Sequence, residues 1–524
     1  MSNSHTFVKV DVGLTTSMDA PPAQTEPSTP FRVAILCDFS GRANRGMSDI
    51  GPKLAGRRPV LIDRDNLDEV IARHNVELSL GRIGKQELPV TLQFKTLDDF
   101  HPDRIFERLE IFRSLRQTRR RLENPATFAE AAAEVRSWAK IETVETTASS
   151  QEPLPLSPTV EPNPLSVENL FDQTIDETQA QDVERRVAAG DVNWNAMLRA
   201  IVEPYSVPGA DPQLPELVAC VDTAATAVMR AILQHPDFQS IEAAWRALEF
   251  LIRRVETDAQ LKLYVLDISK SELAADLGGT KDLATSGTSK LLVEQTVGTP
   301  GADPWALLVG NYEFDHTRKD AELLGHIGKV SRQAGAPFIA AAGSRLLGCQ
   351  SVAASPDPDD WQLPPDTEAA ESWAAIRRLP EAVYAGLALP RFLLRLPYGR
   401  KTDPTEQFAF EELTDSADHE CYLWGNPAFV CACLLAQAFS QEGWRFRPGT
   451  VNEIDGLPVH VYTKDGEQEI KPCGEVLLTE RAIDRIASVG VMPLVSVQGQ
   501  DVIRFVSFRS IAAPTRPLGG RWNS

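Results

Sequence analysis

Apolar positions along the chain recur with two spacings, and each predicts a different element. FRVAILCDF (Phe31–Phe39) is a continuous apolar run rich in branched residues and stopped by Ser40-Gly41. That is the pattern of a buried strand running into a loop. LPVTLQF (Leu88–Phe94) alternates apolar and polar residues, as a strand should. Between them, NLDEVIARH (Asn66–His74) places Leu67, Val70 and Ile71 on one helical face, with Asn66 in position to cap it. A helix is predicted from Asp103 to about Leu122, with Ile105, Leu109, Phe112 and Leu115 on one side and arginines elsewhere. That arginine-rich surface reads first as a solvated face or one docked on acidic groups.

Further along, helical spacing marks 216–234 and 238–256, followed by the strand LKLYVLDIS (Leu261–Ser269). WALLVGNYEF (Trp305–Phe314) and PFIAAAG (Pro337–Gly343) are strand-like runs separated by a helix over 318–334. This β-α-β alternation with continuous apolar runs predicts a largely buried sheet. From Val451 the units shorten: a strand at Val459–Thr463, a turn at Asp465-Gly466, a helix over 479–489, and strands near 491–508.

The longest interruption is ETTASSQEPLPLSPTVEPNPL, residues 145–165, with five prolines and no Lys or Arg. Such a segment buries too little apolar surface to fold alone and serves as a semi-rigid spacer. MDAPPAQTEPSTP (Met18–Pro30) has a similar character. The division expected is a flexible arm at 1–30, a small domain at 31–140 and a Pro-rich acidic linker at 141–180. A large domain at 181–470 and a C-terminal domain at 471–524 complete it.

At 524 residues, 43% hydrophobic and 24% charged, the chain has globular composition and enough length for several compact units. Its net charge of −20 is uneven. Residues 31–140 hold 20 Lys and Arg against 16 Asp and Glu, whereas 141–180 hold eight acids and no Lys or Arg. A mildly basic part joined to an acidic remainder suggests two parts that attract each other, and overall acidity argues against nucleic acid as a partner. MSNSHTFVKVDVG has no basic-then-apolar leader, and no apolar run approaches the length of a membrane span, so a soluble intracellular protein without membrane insertion is expected. Seven scattered cysteines do not make a disulfide framework. Cys431 and Cys433 lie in an apolar run and read as small buried hydrophobes.

The search for chemistry nominates no catalytic, cofactor-binding or metal-binding residue. GRIGKQ (Gly81–Gln86) lacks phosphate-loop spacing, and GGTKDLATSGTSK (Gly278–Lys290) reads as a surface loop. His316, beside Asp315 and near Asp320, is the one histidine placed for acid–base work, and a solvated turn is the simpler account. Asp98-Asp99 and Asp63/Asp65 precede helices, where caps and first-turn charges explain them.

Taken in order, these segments resemble a known family. Residues 31–122 are similar to the small sheath subunit of type VI secretion (TssB), through FRVAILCDFSGR, RRPVLIDRDNLDEVIARH, LPVTLQFKTLDDFHPDRI and LEIFRSLRQTRRRL. Residues from about 216 to 511 resemble the large sheath subunit (TssC). Here the stretches are LQHPDFQSIEAAWRALEFLIRRVE, DPWALLVGNYEF, GAPFIAAAGSRLLG, LALPRFLLRLPYG, YLWGNPAFVCACLLAQAF and GLPVHVYTKDGEQEIKPCGEVLLTERAIDRIASVGVMPLV. The resemblance implies a mixed α/β (α+β) fold of sheath-type domains, with mixed sheets, flanking helices and a partial gpW/gp25-like C-terminal domain. It implies a structural, non-enzymatic and cofactor-free role in the bacterial cytoplasm, as a fused protomer of a contractile sheath.

The implied partners are other sheath protomers, an inner tube protein, a baseplate and a AAA+ disassembly ATPase. The position comparable to the ATPase-binding segment is LSVENLFDQTID, with Leu165, Val167, Leu170, Phe171 and Ile175 as an apolar face; an ordinary first helix on the body is the alternative. Fusing two parts that must pair fixes their ratio at one to one, at an effective concentration on the order of millimolar. Three departures from the family pattern stand out: the chain ends at LGGRWNS, RFRPGTVNEIDGLP lacks the expected glycines, and GNYEF replaces GDYEF. They keep open a non-polymerising accessory or assembly factor of the same system. From another class, an enzyme around His316 and Asp320 is the rival.

Overall fold

The computed structural model describes residues 25–83, 86–138, 214–363, 366–414, 419–464 and 466–523. In chain order the strands begin with β1 (Phe31–Cys37), β2 (Val60–Ile62), β3 (Val76–Ile83), β4 (Gln86–Phe94) and β5 (Leu261–Asp267). Next come β6 (Leu307–Phe314), β7 (Phe338–Ala342), β8 (Ala385–Leu389), β9 (Phe392–Leu393) and β10 (Trp424–Gly425). The remainder are β11 (Glu453–Ile454), β12 (His460–Lys464), β13 (Glu467–Lys471), β14 (Val491–Ser496) and β15 (Ile503–Phe505).

Nine of these strands form one sheet in the order β11-β15-β14-β8-β7-β6-β1-β5-β2. From β14 to β5 neighbours run parallel, while β2, β15 and β11 pair antiparallel at the two edges. Every residue of β1 except Arg32 is buried. Phe31, Val33, Ile35 and Cys37 enter one apolar core, and Ala34 and Leu36 enter another. The two-residue period of a strand therefore feeds two cores, which is why the run reads as continuously apolar.

Helices cover both faces. Pro236–Arg254 and Ala428–Glu442 pack on the Phe31 side, and Lys270–Gly278, Arg318–Ala334 and Glu480–Ser488 on the Ala34 side. Arg318–Ala334 occupies the span its sequence predicts. Thr317 accepts the Asp320 N–H at its start, and Gly335 adopts φ 65° at its end, the left-handed conformation that closes a helix with a glycine. The helix Ala428–Glu442 is buried on nearly every side, consistent with its apolar sequence all round.

The structure departs from the sequence-based division in three places. First, residues 31–140 do not carry a sheet of their own for β1 and β2. Those strands sit in the common sheet, and among the described residues only the β3–β4 hairpin pairs within the segment. Second, residues 471–524, expected as a separate C-terminal unit, supply β14 and β15 to the same sheet. Val491–Leu494 are buried there beside β8, with Val491 opposite Leu387, because a strand apolar on both faces needs cover on both. Third, the helix expected from Asp103 to Leu122 is two helices, Pro102–Arg108 and Glu110–Glu123. Leu109 is extended between them (φ −76°, ψ 136°), ending one helix and starting the next. No Gly or Pro marks that break.

Candidate functional site at the junction of the two segments

Strands β5 and β6 are consecutive in the large segment, yet β1 lies between them. It pairs with β5 from Phe31 opposite Leu261 to Cys37 opposite Asp267, and with β6 from Val33 opposite Leu307 to Leu36 opposite Gly310. Neighbouring strands stand about 4.8 Å apart, so removing β1 leaves β5 and β6 separated by about 10 Å with unpaired edges. The large segment thus holds a slot one strand wide, and the N-terminal segment fills it.

Polar groups fasten the exit of β1. The carboxylate of Asp267, at the end of β5, accepts the Phe39 and Ser40 N–H groups at 2.8 and 3.2 Å and the Ser40 hydroxyl at 2.7 Å. Next to it lies Glu272, fully buried, whose side chain takes part in the Ser269 capping box of the helix Lys270–Gly278. The same carboxylate accepts from Arg57 at 2.6 and 3.0 Å, from Arg42 at 3.0 Å and from the Asp49 N–H at 2.9 Å. Burial alone would push the Glu272 carboxyl up. The hydrogen bonds from Arg57 and Arg42 outweigh it and hold the group at about 2.

Asp276, also buried, accepts the N–H groups of Gly51, Gly287 and Thr288 and the Thr288 hydroxyl. Residues Ser286–Ser289 are consequently buried, against the surface-loop expectation for 278–290. Their small side chains let backbone reach the Asp276 carboxylate, and hydrogen bonding there makes burial of a polar segment tolerable.

Apolar contacts extend the junction. Phe31 packs 4.8 Å from Phe439 and 5.6 Å from Trp444, and Phe106 stacks on Phe408 at 4.3 Å. Asp103 accepts the N–H groups of Glu406 and Gln407. The arginine-rich helix Glu110–Glu123 docks on the helix Leu214–Leu233 through Arg119 and Asp222 at 3.1 Å, which is the acid-docked face its composition suggests. Behind this, Arg395 is clamped between Glu242 and Glu412 at 2.7–3.1 Å, with Arg246 and Tyr398 completing a buried network.

Several of the residues weighed for chemistry are engaged structurally. Asp320 accepts the Asp315 backbone N–H and pairs with Lys270 at 2.6 Å, while the backbone N–H of His316, not its ring, donates to Asp315. Asp99 forms a capping box with Thr96 and pairs with Arg108 at 2.6 Å. Asp63 accepts the Asp65 and Asn66 N–H groups ahead of the helix Leu67–His74. Cys431 and Cys433 are buried, and burial pushes both thiols up, Cys433 to about 12. Leu165, Val167, Leu170, Phe171 and Ile175 lie outside the described residues, as does the linker.

A cleft of about 370 Å³ opens where β6, β7 and β8 end, the usual ligand position in an open parallel sheet. Two ion pairs line it, Arg391 with Glu475 at 2.5 Å and Arg345 with Asp315 at 3.7 Å, together with the Glu313 carboxyl, which burial pushes up. Such a wall lacks the apolar lining that holds small organic ligands. Among the described residues no group of three or more His, Cys, Asp or Glu is arranged to hold a metal ion. Among them, too, no helix is long and apolar enough to cross a membrane.

Comparison with known proteins places names on both sides of this junction. The model of the VipB family, described as EvpB/VC_A0108, tail sheath N-terminal domain, matches residues 215–512. The family described as Type VI secretion system, VipA, VC_A0107 or Hcp2, matches residues 9–149. The VipB match runs through β14 and β15, in keeping with their place in the common sheet. Among curated proteins, the Type VI secretion system sheath protein TssC1 of Pseudomonas aeruginosa (strain PAO1) is 40% identical over 306 residues. That alignment covers 57% of this chain and 61% of the relative, so the chain spans less than two thirds of that protein's length. The chain belongs to the type VI secretion tail-sheath family, with a VipA-type segment and a VipB-type segment in one polypeptide.

Proposed function

We propose that this chain is a structural, non-catalytic component of a type VI secretion sheath, a protomer whose small and large parts are fused and fold together. The observation that carries this reading is the slot between β5 and β6, filled by β1 of the N-terminal segment. An enzyme needs a cleft with groups free to react. This chain instead commits the buried Glu272 and Asp276 and the half-buried Asp267 to holding two segments in register.

Other sheath protomers are the first partners in this reading, in the bacterial cytoplasm. An inner tube protein, a baseplate and a AAA+ disassembly ATPase follow from the same role. Leu165, Val167, Leu170, Phe171 and Ile175 are the ATPase contact proposed, to be tested by pull-down with an L170A/F171A variant. Electron microscopy of the purified chain at high concentration tests the main reading. Rings or tubes are expected. A persistent monomer or dimer would overturn polymerisation and leave an accessory or assembly role within the same system.

A further inference from the structure

Strands β12 and β13 form a two-stranded ribbon outside the main sheet, with His460 opposite Lys471 at its base. Val461 and Ile470 face each other along it, 52% and 48% exposed, so apolar burial does little to hold the ribbon down. What anchors its base is polar. Lys471 Nζ lies 3.0 Å from His419 Nδ1, and Tyr422 Oη lies 2.8 Å from His460 Nδ1. The Lys471 ammonium also sits over the Tyr422 and Trp424 rings at 5.2 and 5.7 Å.

The donors and acceptors dictate a protonation state. An ammonium only donates, so His419 Nδ1 must accept, and the ring proton sits on Nε2, which donates to Glu475 at 3.2 Å. His419 is therefore neutral while Lys471 is seated. Burial pushes the Tyr422 phenol strongly up, so it stays a hydroxyl able to donate to a neutral His460.

We propose that His419 and His460 form an acid-sensitive latch, which seats the β12–β13 ribbon on the Tyr422–Trp424 face at neutral pH and releases it as the imidazoles take up protons. A proton on His419 Nδ1 turns the acceptor into a donor aimed at Lys471 and sets two cations 3.0 Å apart. Every charged group nearby bears on that step. Glu475 receives the imidazolium, but it is already paired with Arg391, which also reaches Glu420 at 3.5 Å. Both ring nitrogens then carry protons: Nε2 still donates to Glu475, while Nδ1 no longer accepts from Lys471. A proton on His460 meets the Lys471 ammonium across the ribbon, which opposes it. Burial and the Lys471 charge both lower the His460 pKa from the ordinary imidazole value, in keeping with a site built for the neutral ring.

Hydrogen exchange of the full chain, read by mass spectrometry on peptides covering 456–473, tests the latch. After correction for intrinsic rates, ribbon protection is expected to fall at least tenfold between pH 7.5 and 5.5, while the helix Ala428–Glu442 keeps its protection. Glutamine accepts and donates without titrating, so H419Q/H460Q should abolish the pH response. K471M should expose the ribbon at both pH values. Equal wild-type protection at the two pH values overturns the proposal without any variant, and so does a pH response that survives in H419Q/H460Q.

Discussion

The indole Nε1–H of Trp245 donates to the carbonyl of Phe39 at 3.0 Å, joining residues 206 positions apart. Both side chains are fully buried and their rings lie 4.9 Å from each other, so the bond ties the exit of β1 to the helix Pro236–Arg254. Trp245→Phe keeps most of the apolar contact and leaves a buried carbonyl short of a donor. It should cost about 1–3 kcal/mol. Urea unfolding should show a lower midpoint at unchanged slope.

Arg395 and Arg119 separate buried from exposed ion pairs. Arg395→Ala leaves the Glu412 carboxylate, 1% exposed, without its arginine and Glu242, 0% exposed, with Arg246 alone, and should cost about 3–5 kcal/mol. Arg119→Ala removes a pair in which both side chains are more than 40% exposed, and should cost less than about 1 kcal/mol. Thermal melts of the two variants side by side provide the measurement.

Gly41 follows β1 with φ 79°, and a Cβ there would stand 2.3 Å from the Glu77 carbonyl oxygen. Gly46 has φ 65° with nothing within 4 Å. Gly46→Ala therefore bears only backbone strain, about 1 kcal/mol, whereas Gly41→Ala adds a collision and should exceed that by about 1 kcal/mol or more. Differential scanning calorimetry distinguishes the two.

Glu272 and Glu475 are both held at about 2, below the ordinary glutamate value of 4.5. For Glu475 burial would raise the group, and hydrogen bonds from His419 and Arg391 outweigh it. Carboxyls depressed on folding stabilise fully above the unfolded value and lose that contribution as pH falls from 4.5 towards 2. Melting temperature should drop steeply over that window. Glu272→Gln should lower stability at pH 7 and flatten the acid slope.

Much of this was legible in advance, and what was not has definite causes. The apolar run at Phe31–Cys37 announces a strand covered on both faces, but not that its neighbours lie more than 200 residues away. Ser269 and Glu272 spell a capping box, but the second role of Glu272, gripping Arg42 and Arg57, depends on tertiary approach. Leu109 breaks a helix without Gly or Pro because contacts on either side, Phe106 on Phe408 and Ile111 and Phe112 in the core, demand two axes. Small polar residues at Ser286–Ser289 suggest exposure, and only the Asp276 carboxylate explains their burial.

The central place of β1 also sets a timetable for synthesis. Ribosomes add about 5–20 residues per second, and about 270 residues separate Cys37 from Leu307 at the start of β6, so β1 waits roughly 15–55 s for its second neighbour. For most of that interval, until β5 is made, an apolar strand has two open edges, a hazard that two separately made subunits would meet differently. The nascent chain, more than the finished protein, is where a chaperone would find its substrate.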